Sequence, residues 1–329
     1  MATVWRIDFG GIRVLADDGR GYEATVPGRL RGARKSLGNA VVTGDRVRLT
    51  WEADQAVVEA VEPRRNAFSR RAAGEREVEQ VVAANLDQVV IVAAVQRPEF
   101  RPGLVDRVLV QCGRSGLPAV LVLNKTDLDT GDEAESILAE YRRADVHGLA
   151  TCAVSGLGVP DVRERCAGRR TLFVGHSGVG KSTLLGALVP HETIARSEVN
   201  EVTGRGRHTT TAAVLYRHES GPALAADPAV APARAPGERA AGDAVGPGRT
   251  ELVDTPGVRA FALWGVDAND LVEYYPELRP HVGGCRFGDC RHDREPGCAL
   301  RQAVAMGLVG ERRFASYCKL RDELAGGFY

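Results

Sequence analysis

Two short stretches carry residues suited to binding phosphate groups. The first, "GHSGVGKS" from Gly175 to Ser182, matches the pattern G-x-x-x-x-G-K-S. Its glycines allow backbone N–H groups to curl around phosphates at a helix N-terminus, Lys181 can reach the terminal phosphate oxygens, and Ser182 offers a hydroxyl to Mg²⁺. The flanking runs "TLFVG" and "STLLGALV" predict the strand and helix that this pattern requires, which favours a phosphate loop over a chance glycine-rich turn. The predicted binding residues are Gly175, His176, Ser177, Gly178, Val179, Gly180, Lys181, Ser182 and Thr183.

The stretch "NKTD" from Asn124 to Asp127 could select the base. It follows the apolar run "PAVLVL", so it lies at the carboxyl end of a predicted parallel strand, where such sheets bind ligands. The Asp127 carboxylate can accept hydrogen bonds from guanine N1–H and the 2-amino group, which adenine lacks, while Asn124 braces the loop and Lys125 covers the base. NKxD alone is a weak match, but together with the phosphate loop it predicts GTP. Around "AVSGLGV", Ser155 and Gly156 are expected to complete the pocket through backbone N–H groups.

Two further stretches could complete a magnesium site. "DTPG" ends the run "TELV", which predicts that Asp254 holds Mg²⁺ through water and that the Gly257 amide lies near the γ-phosphate. "GRGRHTTTA" lies between the phosphate loop and this stretch, where the first switch must be. One of its three threonines should complete the Mg²⁺ shell, and Thr210 is the predicted one.

The same loop offers a candidate for activating water. After DTPG comes Val258, which has no polar atom to orient an attacking water, so unaided hydrolysis should be slow. His208 is the nearest residue that could take this part if RNA ordered the loop. The alternative is that His208 belongs to an ordinary basic surface loop.

These GTPase motifs occur in an inverted order. The base-selecting elements come first and the phosphate loop and two switches follow, giving the order four, five, one, two, three. Because the termini of compact domains often lie close together, rejoining them and cutting elsewhere preserves the sheet. The order predicts a circularly permuted GTPase domain whose second switch runs directly into the C-terminal region.

A cluster of cysteines and a histidine predicts a metal site. "CRFGDCRHDREPGC" contains Cys285, Cys290, His292 and Cys298, the Cys₃His set of a closed structural zinc site. The alternative is cysteines that merely cluster, but zinc would stabilise a segment too short to build its own core.

Length and pattern predict a multidomain fold. The chain has 329 residues, 44% of them hydrophobic, enough for two or three cores. Short alternating strands over 1–66 predict an OB-like β-barrel, and apolar strands alternating with helices over 67–275 predict a parallel α/β sheet. Residues 276–329 would form a small zinc-binding domain with two short helices. An Ala- and Pro-rich stretch at about 218–248 predicts a disordered insertion.

Charge and hydropathy narrow the partners. Basic and acidic residues both total 43, so only local patches can indicate nucleic acid. A barrel segment with Arg31, Arg34 and Lys35 continues to Arg46 and Arg48 with only one acidic residue, which predicts either an RNA-phosphate contact or a solvated loop. The run "VVIVAAV" is too short to span a membrane. We expect a cytoplasmic monomer that does not bind membranes.

Taken together, these stretches closely resemble the ribosome small-subunit-dependent GTPase A (RsgA) family. The resemblance covers nearly the whole chain and includes "TGDRV", "RRN", "ANLDQVVIV", "NKTD", "GHSGVGKS", "GRHTTT", "DTPGVRAFALW" and "CRFGDCRH". Gly156, where Ala is usual, and the insertion depart from the family pattern. The resemblance implies an N-terminal OB-fold, a permuted GTPase domain and a zinc domain. It also implies hydrolysis of GTP to GDP and phosphate, stimulated by the small (30S) ribosomal subunit during its late maturation, with the outer domains gripping ribosomal RNA.

Two other functions remain open on the sequence. One is an RNA-binding scaffold regulated by GTP, in which turnover is incidental. The other is a permuted GTPase of large-subunit assembly, although such relatives generally lack both the barrel and the zinc cluster.

Overall fold

The computed structural model describes residues 1–8, 11–30, 40–72, 78–189, 213–219, 249–256 and 261–326. The N-terminal strands form a closed barrel in the order β1-β2-β3-β5-β4, with β4 returning to β1. Its small apolar residues, among them Val4, Val14 and Val47, alternate with polar ones and fill the interior. The barrel strands are β1 (Ala2–Asp8), β2 (Gly11–Ala16), β3 (Gly21–Thr25), β4 (Arg46–Glu52) and β5 (Gln55–Val61).

The central strands have the order β10-β9-β8-β11-β13-β12, and β12 continues the sheet into the barrel through its antiparallel pairing with β1. Neighbouring strands are parallel except for β12, which runs antiparallel to β13. All seven residues of β8 are buried, as expected for a strand covered on both faces. These strands are β8 (Gln88–Ala94), β9 (Ala119–Asn124), β10 (His147–Ala150), β11 (Arg170–Gly175), β12 (Val214–Glu219) and β13 (Arg249–Asp254).

Helices cover both faces of this sheet. One face packs against α1 and α2, together with helices from the C-terminal region, and the other packs against α3 and α4. Because the parallel strands all end at one edge of the sheet, the loops that follow β8, β9, β10, β11 and β13 meet there. The helices are α1 (Pro102–Arg114), α2 (Glu133–Arg143), α3 (Val159–Cys166), α4 (Lys181–Leu188), α5 (Ala299–Ala305) and α6 (Glu311–Gly326).

The structure departs from the sequence expectations in three places. A separate hairpin of β6 (Ala67–Arg71) and β7 (Glu79–Ala84), which the apolar pattern did not indicate, joins the barrel to the sheet. The predicted start of the insertion, at about residue 218, is too early. His218 and Glu219 belong to β12 and pair with Thr250 and Arg249 of β13. The second C-terminal helix is not short, since α6 has 16 residues.

The C-terminal region shares a core with the central region. Leu271, Tyr275, Leu300 and Leu320 are buried in the same cluster as residues of α1 and β8. Within the described part of the chain, no helix is both long enough and apolar enough to cross a bilayer.

Candidate functional site: a nucleotide loop system and a Cys₃His cluster

The NKTD stretch and the predicted phosphate loop are joined by direct hydrogen bonds. Asn124 is buried at the end of β9, and its Nδ2 donates to the carbonyl of Val179 over 3.0 Å. The loop is close enough that a Cβ atom at Gly180, where φ is +89°, would lie 2.3 Å from that same Nδ2. Glycine is therefore required at position 180 both for its backbone conformation and for space.

Lys125 makes a second connection between these two loops. It has a left-handed backbone (φ 62°), and its Nζ donates to the carbonyl of Gly178 over 2.6 Å and to that of Arg97. Its stem therefore crosses over the phosphate loop. Asp127 lies in the following 3₁₀ turn (Thr126–Leu128) and is exposed, so its carboxylate is open to a ligand.

The end of β10 contacts Asn124 through residues that the sequence did not single out. The Asn124 Oδ1 atom accepts from the Thr151 hydroxyl over 3.1 Å and from the Ala153 backbone N–H over 3.0 Å. Ser155 and Gly156 lie on the exposed turn that follows, where the Ser155 hydroxyl donates to Cys152. Their predicted part in the base pocket stays a prediction. Ala153 is the third residue after the end of β10 and the first residue of "AVSGLGV", and that position is the signal that could have identified it.

The phosphate loop leads from β11 into α4 as the motif predicted. Gly175 ends β11, and a Cβ atom there would lie 2.5 Å from the carbonyl of Val92 on β8. Ser177 and Gly178 are exposed at the tip, and Ser182 and Thr183 are exposed in the first turn of α4. The loop therefore presents backbone N–H groups and hydroxyls to solvent at a helix N-terminus.

His176 has a partner that only the fold brings close. Its Nδ1 lies 2.7 Å from the carbonyl of Ser177, which makes this nitrogen the donor, and its Nε2 lies 3.3 Å from Nη1 of Arg101. Arg101 precedes α1, more than seventy residues away in sequence. No sequence signal marked Arg101, because its position depends on β8 and β11 being neighbours.

The lysine of the phosphate loop meets the acidic end of β13. Lys181 Nζ contacts both Asp254 Oδ1 and the carbonyl of Thr255. Burial raises the pKa of the Asp254 carboxyl, while the Lys181 ammonium opposes that rise. The hydroxyl of Ser182 and this carboxylate are oxygen donors of the kind that Mg²⁺ prefers, so the residues fit such an ion.

Several predicted site residues lie outside the described residues. They belong to the first switch, the second switch and the basic barrel segment, and they are His208, Thr210, Gly257, Val258, Arg31, Arg34 and Lys35. The expectation that the basic barrel stretch lacks acidic partners is wrong for Arg46 and Arg48. Arg46 pairs with Asp17 at 2.7 Å and Arg48 with Glu59 at 3.3 Å, because neighbouring strands supply carboxylates that are remote in sequence.

The Cys₃His set converges in the C-terminal region. The ligand atoms of Cys285, Cys290, His292 and Cys298 all lie within 4.8 Å of one another. His292 Nδ1 is 3.5 Å from Cys285 Sγ and 3.4 Å from Cys298 Sγ, close to the separations that bonds of about 2.0–2.3 Å in tetrahedral geometry produce. The Ala299 backbone N–H, at the start of α5, donates to Cys285 Sγ over 3.4 Å. The residues therefore fit a four-coordinate metal ion.

Comparison with known proteins identifies the family. The family model described as RsgA GTPase matches residues 61–233. The chain belongs to the RsgA GTPase family. It is 36% identical over 322 residues to a protein of Gemmatimonas aurantiaca named "Small ribosomal subunit biogenesis GTPase RsgA", covering 96% of this chain and 95% of that one. A protein of the same name from Chlorobaculum tepidum is 35% identical over 327 residues, covering 96% of both chains.

Solved structures bear out the RsgA-type fold. The crystal structure of YjeQ from Thermotoga maritima matches with a TM-score of 0.67 and 26% identity, covering 99% of this chain and 98% of that one. YloQ, described as a circularly permuted GTPase, matches with a TM-score of 0.62 and covers 100% of this chain and 96% of that one. At 20% identity, YloQ supports the fold alone. The inverted motif order is therefore a circular permutation, as the sequence predicted.

Proposed function

We propose that this protein binds GTP with Mg²⁺, hydrolyses it to GDP and phosphate, and acts in biogenesis of the small ribosomal subunit. The observation that carries the proposal is the pair of hydrogen bonds from Asn124 and Lys125 to the phosphate loop, which makes base selection and phosphate binding one site. The names of the two relatives above support the ribosomal assignment.

Each residue of the site takes a distinct part. Backbone N–H groups from Gly175 to Lys181 receive the phosphates, and Asp127 accepts the two guanine donors. Ser182, Thr210 and Asp254 would hold Mg²⁺, which neutralises charge on the phosphates when bound. Lys181, now paired with Asp254, can turn to the β and γ oxygens.

Base selection can be tested separately from hydrolysis. We expect Asp127→Asn to weaken GTP binding at least about tenfold and to admit xanthosine triphosphate, because the amide then faces a base whose 2-position carries oxygen. Competition binding with GTP, ATP and xanthosine triphosphate measures the change. An unaltered nucleotide preference would mean that NKTD does not form part of the base pocket.

Hydrolysis is proposed to need the small subunit and His208. The first switch contains Arg205 and Arg207 beside His208, so ribosomal RNA could order the loop and place the imidazole on the attacking water. The zinc-held C-terminal region and the barrel segment with Arg31 and Arg34 would contact the same RNA.

The decisive experiment is single-turnover GTP hydrolysis without subunits, with small subunits and with large subunits. We expect strong stimulation by small subunits only, and loss of most of it in His208→Ala with GTP affinity retained. His147→Ala is a matched control, since His147 is exposed at the end of β10 opposite to the nucleotide loops. Binding of small subunits without stimulation would favour a GTP-regulated scaffold, and stimulation by large subunits would favour large-subunit assembly.

A further inference from the structure

A turn of the barrel, Thr43–Asp45, makes a buried contact with the start of β12. The Thr43 hydroxyl donates to the carbonyl of Ala213 over 2.9 Å, and these residues are 2% and 7% exposed. Ala213 is the residue immediately before β12. We refer to Thr43–Asp45 as the barrel turn.

The barrel turn is itself held firmly. Gly44 has a φ of +93°, and a Cβ atom there would lie 2.2 Å from the carbonyl oxygen of Ala84, at the end of β7. The Gly44 carbonyl accepts from Asn85 Nδ2 over 3.0 Å and from Arg170 Nη1 over 2.8 Å. The turn therefore cannot move without disturbing both the link into β8 and the first residue of β11.

Asp45 fixes the other end of the turn. Its carboxylate is fully buried, accepts from the Val42 backbone N–H over 2.8 Å, and pairs with Arg64 at 2.7 Å. A buried carboxylate with charged and backbone donors resists displacement, because breaking its bonds would leave the charge uncompensated. The Thr43 hydroxyl is thus presented from a rigid support.

The position of Ala213 along the chain gives the contact its functional meaning. Thr210 and His208 precede Ala213 by only three and five residues. Since three residues span at most about 10 Å, the fixed Ala213 carbonyl limits where Thr210 can lie. On the other side, Lys35 of the basic barrel segment precedes Thr43 by eight residues along the chain.

We propose that Thr43 is a positioning residue for GTP hydrolysis: its hydrogen bond to Ala213 sets the end of the first switch and couples that switch to the barrel. This inference rests on the proposed function of Thr210 and His208. Without the hydroxyl, the buried Ala213 carbonyl has lost a donor. Val214 stays paired with Asp254 and Arg6, but the chain that precedes it is less firmly held. Small displacements of groups around a reacting phosphate reduce rates strongly.

The test compares Thr43→Val, which keeps the shape and removes the hydroxyl, with Thr43→Ser, which keeps the hydroxyl. Thr250→Val is the matched control, because Thr250 is equally buried and its hydroxyl accepts from the Gly168 N–H, at the sheet end opposite to the nucleotide loops. Two rates are measured in single-turnover assays: intrinsic hydrolysis across a Mg²⁺ series, and hydrolysis with saturating small subunits. GTP affinity and thermal unfolding are recorded for each variant.

We expect Thr43→Val to need several-fold more Mg²⁺ for half-maximal intrinsic hydrolysis. Its rate with saturating small subunits should be at least about tenfold lower than that of the wild type, with GTP affinity unchanged. Thr43→Ser and Thr250→Val should match the wild type. Equal Mg²⁺ dependence of intrinsic hydrolysis in Thr43→Val and wild type overturns the inference, whether or not small subunits stimulate the wild type. Failure of small subunits to stimulate the wild type would instead contradict the proposed function.

Discussion

The barrel and the C-terminal region meet the central region through two differently built junctions. The barrel junction touches the sheet, where Thr43 contacts the residue before β12 and Arg170 of β11 donates to Gly44. The C-terminal junction touches the helices, where Arg313 of α6 pairs with Asp106 of α1 at 2.6 Å and its backbone N–H donates to Glu140 of α2 over 3.0 Å.

The chemistry of the two junctions also differs. The barrel junction combines a close backbone approach between Gly44 and Ala84 with the buried Arg170, which donates to the Gly44 carbonyl and pairs with Glu251. The C-terminal junction depends on one buried guanidinium, because Arg313 is flanked by the carboxylates of Asp106 and Glu277 and lies 4.4 Å from the ring centroid of Tyr275. Strands that lead into nucleotide loops thus contact the barrel directly, whereas the C-terminal region is attached to helices that flank them.

The largest expected effect comes from the metal site. Removing zinc with a chelator, or substituting Cys290→Ala, should unfold the segment from Cys285 to Cys298, because among these residues only Cys298 is buried and the segment depends on the metal for its structure. The helices α5 and α6, which share the core of the central region, should stay attached to it. Elemental analysis should find one zinc per chain, and limited proteolysis should cut the C-terminal region while GTP binding persists.

The control for this prediction is Cys112→Ala, which removes a thiol buried on α1 outside the cluster. Its metal content should equal that of the wild type. A wild-type protein without metal, or a barrel that becomes protease-sensitive together with the C-terminal region, would contradict the separation of the two junctions.

The second effect concerns the guanidinium at the C-terminal junction. Arg313→Met should reduce the free energy of unfolding by about 3–5 kcal/mol, because it leaves the buried carboxylates of Asp106 and Glu277 without their cation. Arg312→Met is the neighbouring control. Arg312 is 39% exposed where Arg313 is 2% exposed, so its pair with Glu140 should contribute about 1 kcal/mol or less. Urea unfolding of the two variants measures the difference, and equal values would mean that burial does not distinguish these arginines.

The third effect concerns the backbone contact at the barrel junction. Gly44→Ala should destabilise the protein by about 2–4 kcal/mol, because the new Cβ meets the Ala84 carbonyl and the backbone has a positive φ. Gly19→Ala has a similar φ of +84° but open space around it, so it should lose only about 1 kcal/mol. Thermal unfolding gives both values, and similar losses would mean that the close approach is unimportant.

The smallest effect is a pH dependence at the barrel junction. Glu251 is buried, yet Arg170 and Arg217 outweigh the burial and hold the pKa of its carboxyl below the usual value. Its stabilising contribution is therefore present above the unfolded pKa of about 4.3 and is lost as pH falls through the lower folded pKa. At the C-terminal junction burial raises the pKa of Asp106, so protonation there favours the folded state.

We expect the stability difference between wild type and Glu251→Gln to narrow as pH falls from 7 to 3. Urea unfolding at each pH measures it. Glu164→Gln, an exposed site on α3, is the control and should show a constant difference. If the stability difference between wild type and Glu251→Gln instead widened as pH fell, folding would raise the pKa of Glu251 and not lower it.

The sequence determined the local units of this protein. Glycine and lysine spacing predicted the phosphate loop, alternating and continuous apolar runs predicted barrel and sheet strands, and the spacing from Cys285 to Cys298 predicted the metal set. Motif order alone indicated the permutation. These predictions succeed because each depends on residues close together in the chain, where backbone geometry and side-chain type fix the structure.

Only the tertiary structure decided how these units meet. Arg101 beside His176 and Arg313 beside Asp106 are contacts between residues far apart in sequence. They depend on which strands become neighbours and on which face each helix covers, and short-range patterns carry no information on either. The Thr43 contact with Ala213 spans 170 residues for the same reason, since the hydroxyl of Thr43 reaches this carbonyl only after the barrel has packed against β12.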